Sequence, residues 1–386
     1  MKRLERAVWL VLLLGILSVL SGCGDRMFWK YLMRGTMLSF IKNGKTELYL
    51  DYSPRFAYLF DKDRDGDQDL LVVTSDDLIF SYTNLVEGRF SRPPLAYIVE
   101  SVPQQVAVGD FNGDGFPDFA VANQGSDDIA VLFNSGKGTF DSMYFMDAGN
   151  EPYAIATADL DSNGTLDLVV ANIGENTLMI FSGDGKGNFD LQKTIPIGET
   201  PFGLVITDLD GNGYPDLAAV NYDSDDLSVI RNAGDFYFHA EEVYPVGGHP
   251  SSLVDLDFDR DGFPDLAVTQ FGADSLAILM NNGHGEFERM LRFATGKSPY
   301  WVTRADLDFN GWQDLIVANY AEDSLSFYMN SPDYLDRFKM AIPGKMRANH
   351  VAVGRLNANP YFDVVICDFD ARTVLVQYDL FRPQEF

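Results

Sequence analysis

Cysteine is nearly absent: the 386 residues hold only Cys23 and Cys367. That excludes the disulfide-stapled frameworks of small secreted domains, and a chain of this length can bury a sufficient core without them. Histidine is scarce, with four residues, His239, His249, His284 and His350. Basic charge is short too: 29 Lys and Arg stand against 57 Asp and Glu, for a net charge of −28. So acidic a chain is not expected to bind nucleic acid. No nucleophile elbow, Walker loop, HExxH or CxxC pair occurs. After residue 44 no segment carries the periodicity of an amphipathic helix. The one long apolar run, Ala7 to Leu20, spans 14 residues and falls short of the ~20 that cross a bilayer.

What is present is a repeat. An aspartate-rich loop recurs at positions 61, 110, 159, 208, 257, 306 and 355, always 49 residues apart. The first six copies fit D-x-D/N-x-D/N-G-x-x-D, from DKDRDGDQD to DLDFNGWQD; the seventh is a degenerate RLNANPYFD. Oxygens at every second position suit a hard cation such as calcium, which takes about 6–8 oxygen ligands. The glycine allows a positive-φ turn that folds those oxygens inward. The candidate ligands are Asp61, Asp63, Asp65 and Asp69; Asp110, Asn112, Asp114 and Asp118; Asp159, Asp161, Asn163 and Asp167. In the next three loops they are Asp208, Asp210, Asn212 and Asp216; Asp257, Asp259, Asp261 and Asp265; Asp306, Asp308, Asn310 and Asp314. A single such loop would equally suit a metal-free Asx turn. Six in register point to calcium, up to six ions. An EF-hand would place its last carboxylate eleven residues after the first, between helices. Here it comes after eight, and a strand-like run such as Asp167-Leu-Val-Val-Ala follows.

A period of this length denotes a solenoid, a propeller or an array. In the third copy, Tyr153 to Ala158 leads into the loop, and Leu166 to Ala171, Thr177 to Phe181 and Leu191 to Ile197 follow as short strands between turn signals. Four antiparallel strands repeated seven times describe an all-β, seven-bladed β-propeller. Residues 44–386 make 343, or seven units of 49. The first unit opens with a fourth strand, Lys45 to Leu50, and the last stops after its third, Thr373 to Tyr378. The N-terminal strand is therefore expected to complete the C-terminal blade and close the ring.

The tandem D-x-D/N-x-D/N-G-x-x-D-L motif over residues 44–386 resembles the FG-GAP/VCBS repeats, which also form the calcium-bearing propeller of integrin α heads. The FG-GAP peptide itself is absent, so the likeness is to the bacterial VCBS-like variety. The resemblance implies metal-stabilised blades and extracellular recognition or adhesion, and it names no ligand.

The N-terminal segment reads as an export signal. Lys2, Arg3 and Arg6 precede the apolar run, and Leu20-Ser21-Gly22-Cys23 resembles a bacterial lipobox. Residues 1–22 are expected to be removed and Cys23 lipidated, with residues 23–43 tethering residues 44–386 to a membrane outside the cytoplasm. Within the tether, the apolar Met27 to Met33 is expected to pack on the last blade rather than lie at the membrane. Removing residues 1–22, with three basic side chains and Glu5, takes the net charge to −30, and six divalent ions return it to −18. Cys367 is expected to be a buried, inert thiol in the last blade.

The expected function is a non-catalytic, monomeric binding or scaffold module for a protein or glycan. The alternatives are a polysaccharide lyase or hydrolase, which would bring His249, His350, Arg304 and Arg347 together in the channel, and a purely structural envelope component. On the face opposite the metal loops, turns begin at Asn123, Asn172, Asn221, Gln270 and Asn319. Their amides and acids suit turn caps and solvated charges. The functional alternative is a ring of acids with Tyr153, Tyr222, Tyr300, Tyr320 and Trp301, fitted to a cationic segment or a sugar. In the seventh loop, Arg355 stands for the first Asp, Asn357 and Asn359 for the next two positions and Pro360 for the glycine. That site is expected to be metal-free, with the Arg355 guanidinium in the cation's place on Asp363.

Overall fold

The computed structural model describes residues 44–380 except 86–87, 333–334 and 342–346. Residues 1–22, Cys23 and the tether to residue 43 lie outside the described residues. The chain forms seven four-stranded antiparallel sheets. Blade 1 comprises β2 (Pro54–Phe60), β3 (Asp69–Thr74), β4 (Leu78–Tyr82) and β5 (Leu95–Ile98), in that order. The innermost strands of blades 2 to 7 are β6 (Pro103–Gly109), β10 (Pro152–Ala158), β14 (Pro201–Thr207), β18 (Pro250–Leu256), β22 (Pro299–Ala305) and β26 (Ala348–Gly354). Each packs beside the next round the ring, and β2 meets β26. The only helical element among the described residues is a three-residue 3-10 turn, Phe271–Ala273.

Ring closure follows the sequence expectation. In the last blade β26 pairs with β27 (Asp363–Asp368), β27 with β28 (Thr373–Gln377), and β28 with the N-terminal β1 (Lys45–Tyr49), Leu48 facing Val374. The second strand of each blade is buried throughout and mostly apolar between its polar ends, because neighbouring blades cover both of its faces. All six residues of Asp118–Asn123, and of Asp167–Asn172, are buried. The core accordingly runs between blades: Leu71 and Val73 of blade 1 cluster with Phe119 and Val121 of blade 2. Fourth strands sit at the rim, and Phe140–Asp147 exposes most of its residues. Cys367, in β27, is fully buried, and burial pushes its thiol pKa up and keeps it protonated.

Two details place the functional residues. A buried asparagine ends the third strand or begins the turn after it in blades 1, 2, 4, 5 and 6. Its Nδ2 reaches the preceding blade's metal loop: Asn134 donates to Lys62 O (2.8 Å), Asn232 to Leu160 O (2.7 Å), Asn281 to Leu209 O (2.8 Å) and Asn330 to Phe258 O (2.8 Å). Asn84 makes the same bond to Leu356 O (2.8 Å), across the seam where the ring closes. Blade 3 has Gly183 there, because a Cβ would stand 2.1 Å from Leu166 O. The second detail is a break in register at the start of every innermost strand, just after the proline in six of them. Proline is tolerated as a strand's first residue, and the irregularity that follows re-aims the next side chain.

Candidate functional site

The aspartate loops join the first and second strands of each blade. In loops 1, 3, 4, 5 and 6 the carboxylates at the first, third and ninth positions gather within 4.8 Å of one another, as in Asp61–Asp63–Asp69 and Asp306–Asp308–Asp314. Two oxygens on opposite sides of a calcium ion at 2.3–2.6 Å sit roughly 5 Å apart, so each trio can share one ion. Loop 2 has Asn112 at the third position and so offers an amide carbonyl between Asp110 and Asp118.

The loop scaffold is set by its own hydrogen bonds. In loop 4, Asp208 Oδ1 accepts from the amides of Gly211 (2.8 Å) and Asn212 (3.1 Å), and Oδ2 from Gly213 (2.8 Å). The fourth residue is left-handed as well as the sixth: Arg64, Ser162, Arg260 and Phe309 have φ of 60–61° beside Gly66, Gly164, Gly262 and Gly311 at 84–96°. Four non-glycine residues thus hold a strained turn, which the sequence pattern alone does not disclose. The ninth-position Asp is wholly buried and accepts two amides; Asp314 takes Leu307 N (2.7 Å) and Asn330 N (2.7 Å). The fifth-position residue braces the turn. Asp65, Asp114, Asn163, Asn212, Asp261 and Asn310 each accept the amide two residues on.

Several oxygens are left over. Asp63 Oδ1, Asp257 Oδ1 and Asp306 Oδ1 are buried with no hydrogen-bond partner, an expensive state for a carboxylate unless a cation meets it. Burial also raises the ninth-position carboxyls against their amide donors: to about 6 in Asp69, Asp118, Asp167 and Asp216, and to about 7 in Asp265 and Asp314. The residues present fit a hard divalent cation. In loop 1, where other loops carry Phe or Leu at the second position, Lys62 is buried and donates to Ser81 Oγ (3.0 Å). Its ammonium lies in the field of Asp69, Asp63 and Asp65.

The seventh loop corrects the expectation for Arg355. Its guanidinium lies over the rings of Phe362 (5.1 Å) and Phe309 (5.8 Å) instead of on Asp363. Asp363 accepts Leu356 N (2.7 Å), Asp379 N (2.8 Å) and Asn357 Nδ2 (3.3 Å). Asn357 Nδ2 also donates to Asp379 Oδ1 (3.2 Å), where Asn359 Nδ2 donates too. Amide groups thus stand between two carboxylates, and neither Ala358 nor Pro360 has a positive φ. Asn357→Ala in saturating calcium is expected to cost about 2 kcal/mol, the scale of hydrogen bonds to charged groups. Arg355→Ala should cost about 1 kcal/mol through its lost ring contacts. Thermal melts of the two variants check that order.

On the opposite face the irregular start of each innermost strand builds a pocket. Arg55, Gln104, Gln105, Tyr153, Tyr300 and Asn349, which occupy these register breaks, line a cavity of ≈ 290 Å³ with Phe56, Trp301 and His350. Phe202 instead stacks on Tyr153, with centroids 4.4 Å apart, and Ser251 is buried, donating to Pro299 O (3.0 Å). Phe271, Tyr320 and Phe369 from the second-to-third-strand turns complete the wall. Of the expected aromatic ring, Tyr153, Tyr300, Tyr320 and Trp301 come together; Tyr222 is not part of the lining and packs on Phe202 and His249. The sequence marked this site only by position: most of its residues sit within two residues of the proline that opens six of the seven innermost strands.

No acidic side chain lines the pocket, and three of the turn acids accept backbone amides. Asp127 Oδ1 accepts Glu151 N, Asp225 Oδ1 accepts His249 N and Asp274 Oδ1 accepts Ser298 N, at 2.7–2.8 Å, each from one blade to the next. Asn123, Asn221 and Asn319 cap their own turns, donating to Asp128, Asp226 and Ser324. The four side chains that a catalytic channel would unite lie apart. Only His350 lines the pocket; Arg304 pairs with Asp255, Arg347 with Asp370, and His249 Nδ1 lies 2.9 Å from Tyr222 O. His350 is buried between Phe56 and Trp301, which holds it neutral with its pKa lowered to about 3. Its Nδ1 accepts Ala57 N (3.4 Å), leaving the proton on Nε2.

Several solved structures share this architecture. BBS1N, solved in complex with ARL6DN, aligns with a TM-score of 0.61 at 15% identity over 84% of this chain and 91% of its own. A catalytically inactive virginiamycin B lyase from Staphylococcus aureus, solved with quinupristin, aligns at 0.58 and 13% over 86% and 98%. A protein from Lactobacillus plantarum aligns at 0.55 and 17% over 81% and 88%. At such identities the likeness concerns the fold. No curated protein matches the sequence. A family model for the FG-GAP-like repeat matches five times, over residues 61–121, 110–170, 159–219, 208–268 and 257–317, each match running from one metal loop through the next. The chain belongs to the FG-GAP-like repeat family.

Proposed function

We propose that the chain is a calcium-stabilised, non-catalytic binding module, lipid-anchored through Cys23 outside the cytoplasm, that takes a protein or glycan ligand at the pocket opposite its metal loops. The observation that carries this reading is the division of labour between the two faces. One holds repeated carboxylate trios with unpartnered buried oxygens. The other gathers strand-start residues of five blades into a single aromatic cavity. Calcium would be held by the first, third and ninth residues of loops 1 to 6, where it supplies positive charge to otherwise uncompensated carboxylates. Aromatic walls with a few fixed polar groups are the usual make-up of a recognition pocket.

A glycan and peptide array probed with the calcium-loaded full chain tests the proposal. Retained ligands should be recovered with unchanged mass, and Trp301→Ala, which removes one wall, should weaken their retention at least tenfold. A ligand recovered cleaved or with a new unsaturation would make the protein an enzyme and overturn the reading.

A further inference from the structure

Within a chain of net charge −28 the pocket holds a cation with no anion. Arg55 donates through Nη1 to Gln104 Oε1 (3.1 Å), its guanidinium lies 5.2 Å from the centroid of Phe369, and its Nε is buried with no partner. None of the ion pairs among the described residues includes it. Leaving a guanidinium half-buried without a carboxylate is costly, and carboxylates abound in this protein. The structure nonetheless fixes the residue. Asn349 Nδ2 donates to Arg55 O (2.7 Å), and Asn349 Oδ1 accepts Phe369 N (3.0 Å), so one amide ties the arginine's backbone to the turn that carries the ring beneath it. The remaining walls are apolar or neutral: the Tyr153 and Tyr300 hydroxyls bond each other (2.8 Å), and His350 is uncharged.

We infer that the pocket recognises a small ring-bearing carboxylate, with Arg55 taking the carboxylate and Trp301, Phe56 and the tyrosines enclosing the ring. This rests on the proposed binding function of the same pocket and adds the charge and size of the ligand. A guanidinium offers paired parallel N–H donors that match a carboxylate, and His350 Nε2–H is a further donor in the wall. The volume of ≈ 290 Å³ lies at the small end of ligand pockets, which suits a single ring of monosaccharide or aryl size. Two sources share this chemistry: a uronic acid at the end of a glycan, and an aromatic acid.

Calorimetry on the full chain with matched probes distinguishes them: methyl glucuronide against methyl glucoside, and 3-phenylpropionate against 3-phenylpropanol. The acid of at least one pair should bind at least thirtyfold more tightly than its neutral partner, and the pair that does so identifies the source. Arg55→Met should abolish that preference, whereas Arg55→Lys, which keeps the charge but loses the fork, should retain a reduced one. A second measurement guards against simple misfolding. If the arginine is kept for a ligand, Arg55→Met melts at or above the wild type without ligand, because an uncompensated cation is removed. Equal binding of acid and alcohol would overturn the carboxylate inference and leave the binding function standing. Binding of none of the four would remove support from both. An Arg55→Met variant less stable than wild type without ligand would make the arginine structural and overturn the inference.

Discussion

Withdrawing calcium with EDTA is expected to lower the melting temperature by roughly 20 °C or more. A ligand that binds only the native state adds about 2.7 kcal/mol per site at a hundredfold excess over Kd, so several occupied loops contribute on the order of 10 kcal/mol. A change of that size corresponds to tens of degrees in a chain of this length. The loss should also change the sign of the pH dependence. Without metal, the ninth-position carboxyls have folded pKa values of about 6 to 7, against about 4 in an unfolded chain. Between those values the folded state holds protons that the unfolded state has released, so stability falls as pH rises from about 4 through 7. Self-repulsion of the acidic chain acts in the same direction. With calcium bound the carboxylates are ionised, protons compete with the ion, and stability rises with pH across the same window. Melting curves from pH 5 to 8 in EDTA and in excess calcium should therefore slope in opposite directions. Parallel curves, or no effect of EDTA, would remove calcium from the account.

The repeat, the blade count and the closing strand were legible in the sequence because they rest on periodicity, which survives substitution at any single position. The convergence of carboxylates at the first, third and ninth positions was legible for the same reason. One role of the fifth position was hidden: the side chains of Asp65 and Asp261 each accept, through Oδ1, the amide two residues on. The asparagine stitches were hidden by distance. Asn134 and Lys62 are 72 residues apart, and the partner is a carbonyl that every residue possesses. Arg355 was misassigned because charge was weighed ahead of packing: Phe309 and Phe362 offer ring faces that a planar guanidinium stacks on. The acids of the turns were expected round the mouth, yet none lines the pocket, and Asp127, Asp225 and Asp274 accept amides that belong to the next blade. The pocket stayed invisible as a unit since it assembles from the strand starts of five blades, where the register breaks, and from three turns.

Deleting residues 44–50 should leave a chain that aggregates or melts far below the wild type in saturating calcium. The segment contributes a whole strand: Lys45 to Tyr49 pair residue by residue with Gln377 to Thr373, Leu50 N donates to Arg372 O (2.8 Å), and Tyr378 N to Gly44 O (2.9 Å). Leu48 and Thr46 are buried, and Tyr378 Oη donates to Gly88 O (2.6 Å) and accepts from the Thr46 hydroxyl (3.1 Å), which fastens the seam to blade 1. Without β1, the edge of β28 is an open row of donors and acceptors that invites pairing with another chain. The rest of the seam, the packing of β2 on β26 with bonds such as Asn84 to Leu356 and Asn349 to Arg55, joins blades 1 and 7 but does not cover the edge of β28. The point substitution Leu48→Asp isolates the effect, because it keeps the backbone ladder and buries an unpaired charge. It should cost more than about 4 kcal/mol, whereas Glu47→Ala, whose carboxylate bonds only Lys45 and Tyr49 of its own strand, should cost under about 1 kcal/mol. A synthetic peptide of residues 44–51 added in trans should raise the melting point of the truncated chain, since the edge it pairs with is already in place. If the truncated chain is monomeric and melts like the wild type, the ring closes without the N-terminal strand and blade 7 is stable with three.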